Sequence, residues 1–492
     1  MSLLQTIKGI FTGKGDKAFN GSSFDAANYS SRRSRTPGAA PTDFKHEFHG
    51  GARMEILKKS RYICRNNGLP REIRDLNVLY GVGGKGLWPY PDVADPQWAN
   101  DASEYFRKWA QKCDVTRRFS FVDIQRFASM GVDVDGEIFP TKVRDRITGM
   151  PLIQMIETHR VGNFMDGDED KWIDGIKVNA QGRPLMMKVL LDDGKTRNIP
   201  WSAVMHIFNA ESPSAYRHAP LLTHSVNHIL DQVELLALEK HAAKQNSDMV
   251  HVLKTDAGSM ESSGDFSATG GRDAVEEGTD PKALQRITGG KTAAIFTHEE
   301  LESFESKRPT STFMGFLEHL SRDSTLGAMP YEFSVDPAGT GGPGVRMIVA
   351  KAQRRFRART ELIASRLVKP TWTWVIGDAI DRGILSPITG WNDVTVTPPK
   401  DITIDSGRDS EANRRDVSSG LKLPTTSYEE QGGNFLKAME KRGDLINAVH
   451  EIAKQKGVDP ELLYDWTVAS GAKVANSGSG SAPSGGDTKT RK

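Results

Sequence analysis

The sequence feature that most constrains the fold is a long amphipathic helix. It follows a loop rich in glycine and proline. The loop, Ala328–Gly344, reads AMPYEFSVDPAGTGGPG, and between Arg346 and Lys369 eight basic residues stand against the single acid Glu361. Apolar residues recur there at three- and four-residue steps, so one stripe of the helix can be buried. These residues are Val345, Ile348, Ala352, Phe356, Ile363 and Leu367.

A second, cationic stripe runs beside the apolar one and includes Lys351, Arg355, Arg359 and Arg366. A packed helix that carries such a ridge after a glycine loop suggests contact with a polyanion. An ordinary solvated amphipathic helix explains the same pattern. The sequence pattern leaves both interpretations open.

Composition narrows the class of protein. The 492 residues suffice for about two to four domains, and the net charge of +2 means that any nucleic-acid contact must come from local patches. Cys64 and Cys113 are the only cysteines, which excludes a disulfide framework and fits a reducing compartment. No apolar run approaches the ~20 residues that span a bilayer, and the apolar block in MSLLQTIKGIF is too short for a signal peptide. We expect an intracellular origin.

The two ends differ from the middle. Residues 12–42 are rich in Gly, Ser, Asn and Arg, and residues 471–492 have the composition of a flexible linker. Such segments bury too little apolar surface to offset the entropy of ordering. We therefore expect a flexible arm at 1–49 and a disordered tail at 471–492.

Between the ends, periodicity predicts an α+β region over residues 50–212. The predicted helices are Arg53–Asn67, Ala99–Cys113 and Phe121–Met130. The predicted strands are Gly136–Val143, Leu152–Glu157, Trp172–Val178, Leu185–Leu191 and Met205–Phe208, with a hairpin turn at Asn179–Pro184.

The second half is predicted to be mainly helical. A long helix over Ser214–Gln245 precedes an insert, Asp248–Arg308, that contains two short apolar strands, Met249–Leu253 and Thr292–Phe296. An apolar helix, Phe313–Leu326, then leads to the loop and the basic helix, which Pro370 should kink or break. The remaining predictions are an extended piece at Val394–Pro398 and helices at Ser410–Gly420, Ser427–Arg442 and Leu445–Lys456.

Phosphate-binding motifs are incomplete. Gly289–Thr292 reads GGKT, but Gln285 stands where a phosphate loop needs its first glycine, and no strand-then-helix order flanks it. Gly81–Gly86 is glycine-rich, but Leu87, Trp88 and Pro89 follow it in place of a helix, so we predict a turn.

Three sets of acidic or histidine residues could suggest a metal. The run that begins at Asp166 resembles a calcium loop, but Lys171 and Lys177 occupy its glycine and bidentate-acid positions. His224, His228 and Asp231 share a helical face without a second histidine pair, and Asp133, Asp135 and Glu137 resemble nuclease carboxylates without a following lysine. We predict no catalytic residue, no metal and no cofactor.

Several segments, in this order, resemble the portal proteins of tailed bacteriophages, specifically the lambda-like portal family. Arg65–Leu87 is similar to the family's early helix and glycine turn, and Cys113–Phe139 to its central wing region. His206–Leu222 is similar to the segment that introduces the family's long helix. Ala328–Phe356 is similar to its tunnel loop and the helix that follows, and Trp391–Phe435 is similar to the segment before its crown. The loop departs from the family pattern at Gly341–Gly344.

The resemblance implies a portal-type α+β fold in a homo-oligomeric ring of about twelve copies at one capsid vertex. The implied regions are the wing (50–212), a stem helix (213–247), the clip (248–308), a second stem helix (309–327), the tunnel loop (328–344), a kinked wing helix (345–390) and a helical crown (391–470). The implied partners are double-stranded DNA in the channel, the large terminase, head-completion or neck proteins, and the major capsid or scaffold protein, with no membrane. The protein would lie in the virion, and in the host cytoplasm during assembly.

The resemblance also supplies candidate site residues. Those of the channel and tunnel loop are Pro330, Tyr331, Asp336, Thr340, Gly341, Gly342, Gly344, Arg346 and Lys351. Those of the clip, for partner binding, are Val250, Val252, Lys254, Lys291 and Ile295. Because a conduit must let DNA slide, we expect most arginines in Arg346–Arg366 to form ion pairs, with only Arg346 and Lys351 near the DNA.

Two other functions compete with a portal. A DNA-packaging ATPase or nuclease would need a complete phosphate loop followed by an acidic strand end. A head–neck adaptor would be a shorter chain without paired long helices around an insert. The sequence favours the portal over both.

Overall fold

The computed structural model describes residues 42–162, 171–248, 251–255, 299–303, 311–335, 341–403, 406–430, 435–460 and 463. The chain divides into two compact units, of which the first ends at Ile402 and the second begins at Thr403. The predicted arm at 1–49 and tail at 471–492 lie mostly or wholly outside the described residues. Within the described part of the chain, no helix is both long and apolar enough to cross a bilayer.

The first unit begins with helices that its polar residues cap. They are α1 (Phe44–Glu47), α2 (Gly50–Asn66), α3 (Gly68–Gly81), α4 (Pro96–Ala110) and α5 (Phe121–Val134), with the strand β1 (Pro89–Pro91) before α4. Ser120 and Asp123 form a capping box that starts α5, and Asp95 caps α4. These contacts satisfy amide groups that a helix N-terminus leaves unpaired.

Two antiparallel sheets follow. One has the order β3–β2–β8, from β2 (Glu137–Arg144), β3 (Pro151–Ile156) and β8 (Ile207–Phe208). The other is a meander of β4 (Trp172–Ile173), β5 (Ile176–Val178), β6 (Pro184–Leu190) and β7 (Thr196–Pro200). The single strand predicted over Trp172–Val178 is wrong, because Asp174 and Gly175 form a tight hairpin turn with φ of 44° and 84°.

The long helix α6 (Val226–Asp248) begins twelve residues later than Ser214, the predicted start. Residues 214–222 are irregular, and a single 3-10 turn, Thr223–Ser225, precedes the helix. The reason is Arg217, whose buried guanidinium bonds to Glu137 and to the carbonyls of Val161 and Asp174. A helical backbone would compete with this path, and Pro220 has no N–H to donate.

The second helix of the pair, α7 (Ser311–Thr325), packs on α6, and the Ser225 Oγ at the start of α6 donates to the Ser324 carbonyl near the end of α7 at 3.1 Å. The two helices are therefore antiparallel. Between them, β9 (His251–Thr255) pairs antiparallel with β10 (Glu299–Ser303). The partner strand predicted at Thr292–Phe296 lies outside the described residues.

The basic helix continues past Pro370, where a kink or a break was predicted, by way of a π turn. After the short α8 (Tyr331–Ser334), α9 (Gly342–Ile363) passes through a π turn, Ala364–Val368, into α10 (Lys369–Asp381). The Lys369 amide donates to the Ala364 carbonyl, five residues back. Because Pro370 lacks an amide and its ring would crowd the carbonyl four residues earlier, the wider turn lets the helix continue.

The largest core of the first unit combines α4, α5, β2, β3 and α10. Phe106, Phe121 and Trp372 pack edge-to-face and tilted at its centre, with Phe106 to Trp372 centroids 5.3 Å apart. The strand β11 (Val394–Val396) closes this core by pairing with β1. Thus the segment after α10 returns to β1, the strand between α3 and α4.

The second unit is described by α11 (Ser406–Ser418), α12 (Pro424–Glu429) and α13 (Phe435–Lys456). The sequence predicted a break at Gly443, but α13 continues through it as one helix. Lys422 Nζ lies 2.7 Å from Glu430 Oε2, and the Tyr428 and Phe435 rings are 5.5 Å apart.

Candidate functional site

The N-terminal end of α9 carries the predicted DNA-facing residues. Gly341 is the N-cap of the helix, and Gly342 and Gly344 lie in its first turn beside Pro343. A Cβ at Gly341 or Gly342 would meet no atom within 4 Å, and neither residue has a positive φ. The backbone here does not require glycine. Two candidates, Asp336 and Thr340, lie outside the described residues.

Arg346 and Lys351 project from the first turns of α9 into solvent. Neither forms a hydrogen bond or an ion pair within the described part of the chain. Two cations without acidic partners next to a helix N-terminus give this end of α9 a positive field. It can therefore attract phosphate groups.

The first part of the predicted tunnel loop is packed rather than free. Ala328, Met329 and Pro330 are buried, and Tyr331 opens the short helix α8. The Arg322 guanidinium lies 4.9 Å from the centre of the Tyr331 ring and 2.6 Å from Glu332 Oε1. Pro330 and Tyr331 are thus fixed against α7, so the loop predicted over 328–344 is shorter than expected.

The cationic stripe does not form an open ridge. Arg359 is buried against Asp133, and Arg355 donates to the Gly327 carbonyl. Arg366 lies over the Phe208 ring, with its guanidinium carbon 3.8 Å from the ring centre. Because these three side chains already have partners within the protein, they do not form a free cationic face.

The expectation that most arginines in Arg346–Arg366 form ion pairs is confirmed for Arg357 and Arg359. It is wrong for Arg355 and Arg366, which bond to a carbonyl and an aromatic ring. Arg357 pairs with Asp401 at the surface, and Arg359 pairs with Asp133 inside the protein. Asn77 donates to the second Asp133 oxygen at 3.1 Å, and a Cβ at Gly81 would come within 2.7 Å of the Arg359 Cγ. Burial raises the pKa of Asp133, and the arginine acts against that rise.

A model of the phage portal protein, lambda family, matches residues 28–359. The chain belongs to the lambda family of phage portal proteins. The resemblance predicted from the sequence is confirmed over that range, and the family places the protein among the structural proteins of the phage virion, at the capsid portal. A comparison with curated proteins gave no match.

Two solved structures are similar to this portal-family chain at low identity. In the neck of a native gene transfer agent particle computed with C12 symmetry, one chain shares 10% identity, with 76% of this chain and 92% of that chain covered and a TM-score of 0.44. An HK97-family phage portal protein from Corynebacterium diphtheriae shares 11% identity, with 69% and 94% covered and a TM-score of 0.31.

In this portal-family protein the three nuclease-like carboxylates each face a different arginine. Asp133 pairs with Arg359, and Asp135 accepts two bonds from Arg61 at 2.6 and 2.8 Å. Glu137 accepts a bond from Arg217 at 2.6 Å. The carboxylates thus act as counterions of three separate arginines, of which Arg217 and Arg359 are buried and Arg61 is half-buried. Among the described residues, no cluster of histidine, cysteine and carboxylate side chains is arranged to hold a metal ion.

The pair of Glu137 and Arg217 is the centre of a buried network that the sequence did not reveal. His206 Nε2 lies 2.8 Å from Glu137 Oε2, and Arg53 Nε donates to Asp174 at 2.5 Å beside Arg217. Burial raises the pKa of Glu137, but Arg217 and His206 outweigh it, so the pKa falls from 4.5 to about 2. Only a turn of unusual residues, SPSAYRHAP, marks Arg217 in the sequence.

The remaining candidates are partly described. Val252 and Lys254 lie in β9, in register with Glu302 and Glu300, whereas Val250, Lys291 and Ile295 lie outside the described residues. Gly289–Thr292 and the acidic run at 166–170 are also outside them.

The glycine-rich run Gly81–Gly86 ends α3 at Gly81 and then forms the predicted turn. Gly83 and Gly86 have φ of 79° and 73°, and Arg126 donates to the Gly84 carbonyl at 2.7 Å. The turn thus places its glycines where a left-handed backbone is needed.

Proposed function

We propose that this protein forms a ring at one vertex of the phage head, through which double-stranded DNA passes during packaging and ejection. The observation that carries the proposal is the match of residues 28–359 to the lambda portal family. In this proposal the ring contains about twelve copies and docks first the large terminase and later the neck proteins. Contact with the major capsid or scaffold protein would hold it in the shell.

The antiparallel pair α6 and α7 supports a stem that stands around the channel. The start of α6 is core, because Val226 and Ile229 are buried. Beyond it, Leu238 on α6 is 62% exposed and Phe316 on α7 is 50% exposed. Apolar side chains that stand unburied along two packed helices match a surface that neighbouring copies cover.

The other regions follow from this placement. The strands β9 and β10, at the far end of the two stem helices, belong to the clip, and Val252 and Lys254 would contact partner proteins there. The two sheets with α2–α5 and α10 form the wing. The helices of the second unit, α11–α13, form the crown. Arg346 and Lys351 are the side chains that approach the DNA.

In this proposal, ring formation depends on the apolar surface of the stem helices. Introducing a charged residue on that surface tests the proposal. We expect Phe316→Asp to reduce the native mass from a ring to single chains, because the carboxylate would be buried without a partner. Ile147→Asp is the matched control, since Ile147 is 96% exposed in a turn of the wing. Native mass spectrometry and particle images give the readout, and circular dichroism checks that each variant folds. Rings of unchanged size from Phe316→Asp would contradict the proposed stem.

A further inference from the structure

A cavity of about 390 Å³ lies where the two sheets, the irregular segment before α6 and the π turn meet. Its volume falls within the range of about 300–1,000 Å³ that sites for small organic molecules occupy, and such sites are mostly apolar. Six of its nine lining residues are apolar or aromatic. They are Ile176, Pro184, Trp201, Phe208, Ala215 and Tyr216.

The other three lining residues are His206, His218 and Arg366, and only the arginine carries a charge. Burial lowers the pKa of both histidines, that of His218 to about 3, so both imidazoles are neutral at neutral pH. Glu137, the partner of His206, is paired with Arg217, so that pair adds no net charge. Among the described residues no carboxylate lines the cavity. Its walls therefore carry one positive charge.

The Arg366 guanidinium has no acidic partner among the described residues. Its central carbon lies 3.8 Å from the centre of the Phe208 ring, and its Nη1 lies 3.5 Å from the His206 carbonyl oxygen. Neither contact neutralises the charge, and burial lowers the pKa of Arg366 with no carboxylate acting against that effect. A half-buried cation in this state has lost part of its hydration without gaining a counterion, so binding an anion there is favourable.

The two kinds of wall together select the ligand. A purely apolar molecule would leave the charge of Arg366 uncompensated, and a cation would be repelled by it. A bare inorganic anion would leave the apolar walls, Trp201 and Tyr216 among them, in contact with water. Only a molecule with an anionic end and an apolar body meets both requirements.

We propose that this cavity binds an organic carboxylate with an apolar or aromatic body, its carboxylate on Arg366 and its body against the apolar walls. An arginine can hold a carboxylate through two parallel N–H···O bonds, which fixes the orientation of the ligand. The site uses none of the candidate channel residues, so it stands or falls separately from the proposed portal function.

Calorimetric titration of the full-length protein with phenylacetate tests the proposal. We expect saturable binding of phenylacetate, and at least about tenfold weaker binding of phenylacetamide, which has the same ring without the charge. Arg366→Met keeps a long apolar side chain beside Phe208 and should weaken phenylacetate binding by a similar factor, whereas Arg366→Lys should retain part of it. Arg146→Met removes an exposed arginine that does not line the cavity and should bind as the wild type does. Equal binding of acid and amide, or unchanged binding by Arg366→Met, would overturn the proposal.

A substitution in the wall locates the site. Ala215 is half-buried and lines the cavity, so the indole of Ala215→Trp would occupy part of the space. We expect this variant to lose phenylacetate binding, and circular dichroism checks that it folds. Unchanged binding by a folded Ala215→Trp would show that the acid binds elsewhere and would overturn the proposal.

The state of assembly distinguishes two sources of the carboxylate, and this arm alone rests on the proposed ring. A site for a free acid should bind phenylacetate equally well in the wild-type ring and in the single chains expected from Phe316→Asp. If a neighbouring copy supplies the carboxylate, the cavity should be filled in the ring and only the single chains should bind phenylacetate. Either result supports the carboxylate site, and binding by neither form would overturn it.

Discussion

The two halves of α9 carry the same type of side chain in opposite surroundings. Near its start, Arg346 and Lys351 are exposed and have no acidic partner among the described residues, whereas Arg359, near its end, is 7% exposed and bound to Asp133. The difference arises from the neighbours, because α3 and α5 pack on the second half of the helix and bring Asn77 and Asp133 to it. The same basic segment therefore provides exposed charges near its start and a buried ion pair near its end.

The largest effect should come from breaking the buried pair. We expect Asp133→Ala to lower the free energy of unfolding by about 3–5 kcal/mol, because Arg359 would remain buried without a counterion. Urea denaturation followed by circular dichroism measures the change. Asp401→Ala, which removes the partner of the exposed Arg357, is the matched control and should cost about 0–1 kcal/mol. Equal losses of stability in the two variants would show that burial does not make the Arg359–Asp133 pair more important to stability than the Arg357–Asp401 pair.

Acid should destabilise the protein through its buried titratable groups. Burial lowers the pKa of His206 and His218, so only the unfolded chain gains their protons as the pH falls below about 6.5. Glu137, with a pKa of about 2 in the folded protein, adds a loss of about 3 kcal/mol as the pH falls from 4.5 to 2. We expect the free energy of unfolding, measured in urea at several pH values, to decrease steadily below pH 6.5. Glu137→Gln should flatten the part below pH 4.5, and a curve that is flat from pH 7 to 3 would contradict the assignment.

The exposed cations near the start of α9 should contribute to DNA binding and hardly at all to the stability of the fold. We expect Arg346→Ala/Lys351→Ala to change the free energy of unfolding by less than about 0.5 kcal/mol. The slope of log affinity against log salt for double-stranded DNA should become shallower by about 0.9 for each phosphate that the variant no longer neutralises. Lys58→Ala/Lys108→Ala, which also removes two exposed positive charges, on α2 and α4, is the control and should leave the slope unchanged. A slope that is identical in all three proteins would remove these residues from the DNA path.

Local patterns predicted most of the regular structure. The apolar period of α9 placed Ala352, Phe356, Ile363 and Leu367 in the core, where they are buried. Arg359 lies at the edge of the same stripe, and spacing alone does not say whether a charge at that edge meets water or a carboxylate. Asp133 is 226 positions away, so the pair is a product of tertiary packing.

The errors have similar causes. The late start of α6 depends on Arg217, whose partners come from three distant segments, so the local sequence, apart from the unusual turn around Arg217, does not reveal them. The Asp174–Gly175 hairpin is different, because Asp-Gly between strand-like residues is a strong turn signal that the sequence contained. The candidate site residues of the loop and the clip all remain predictions.

The π turn at Ala364–Val368 makes the length of this stretch as important as its composition. Removing one residue there would restore ordinary helical spacing and rotate everything before it by about 100° relative to α10. Trp372 and its neighbours would stay seated, while Arg359 would swing away from Asp133 and Phe356 toward water. A single deleted codon at this point would therefore take the second half of α9 out of the core, although none of the side chains that pack there had been substituted.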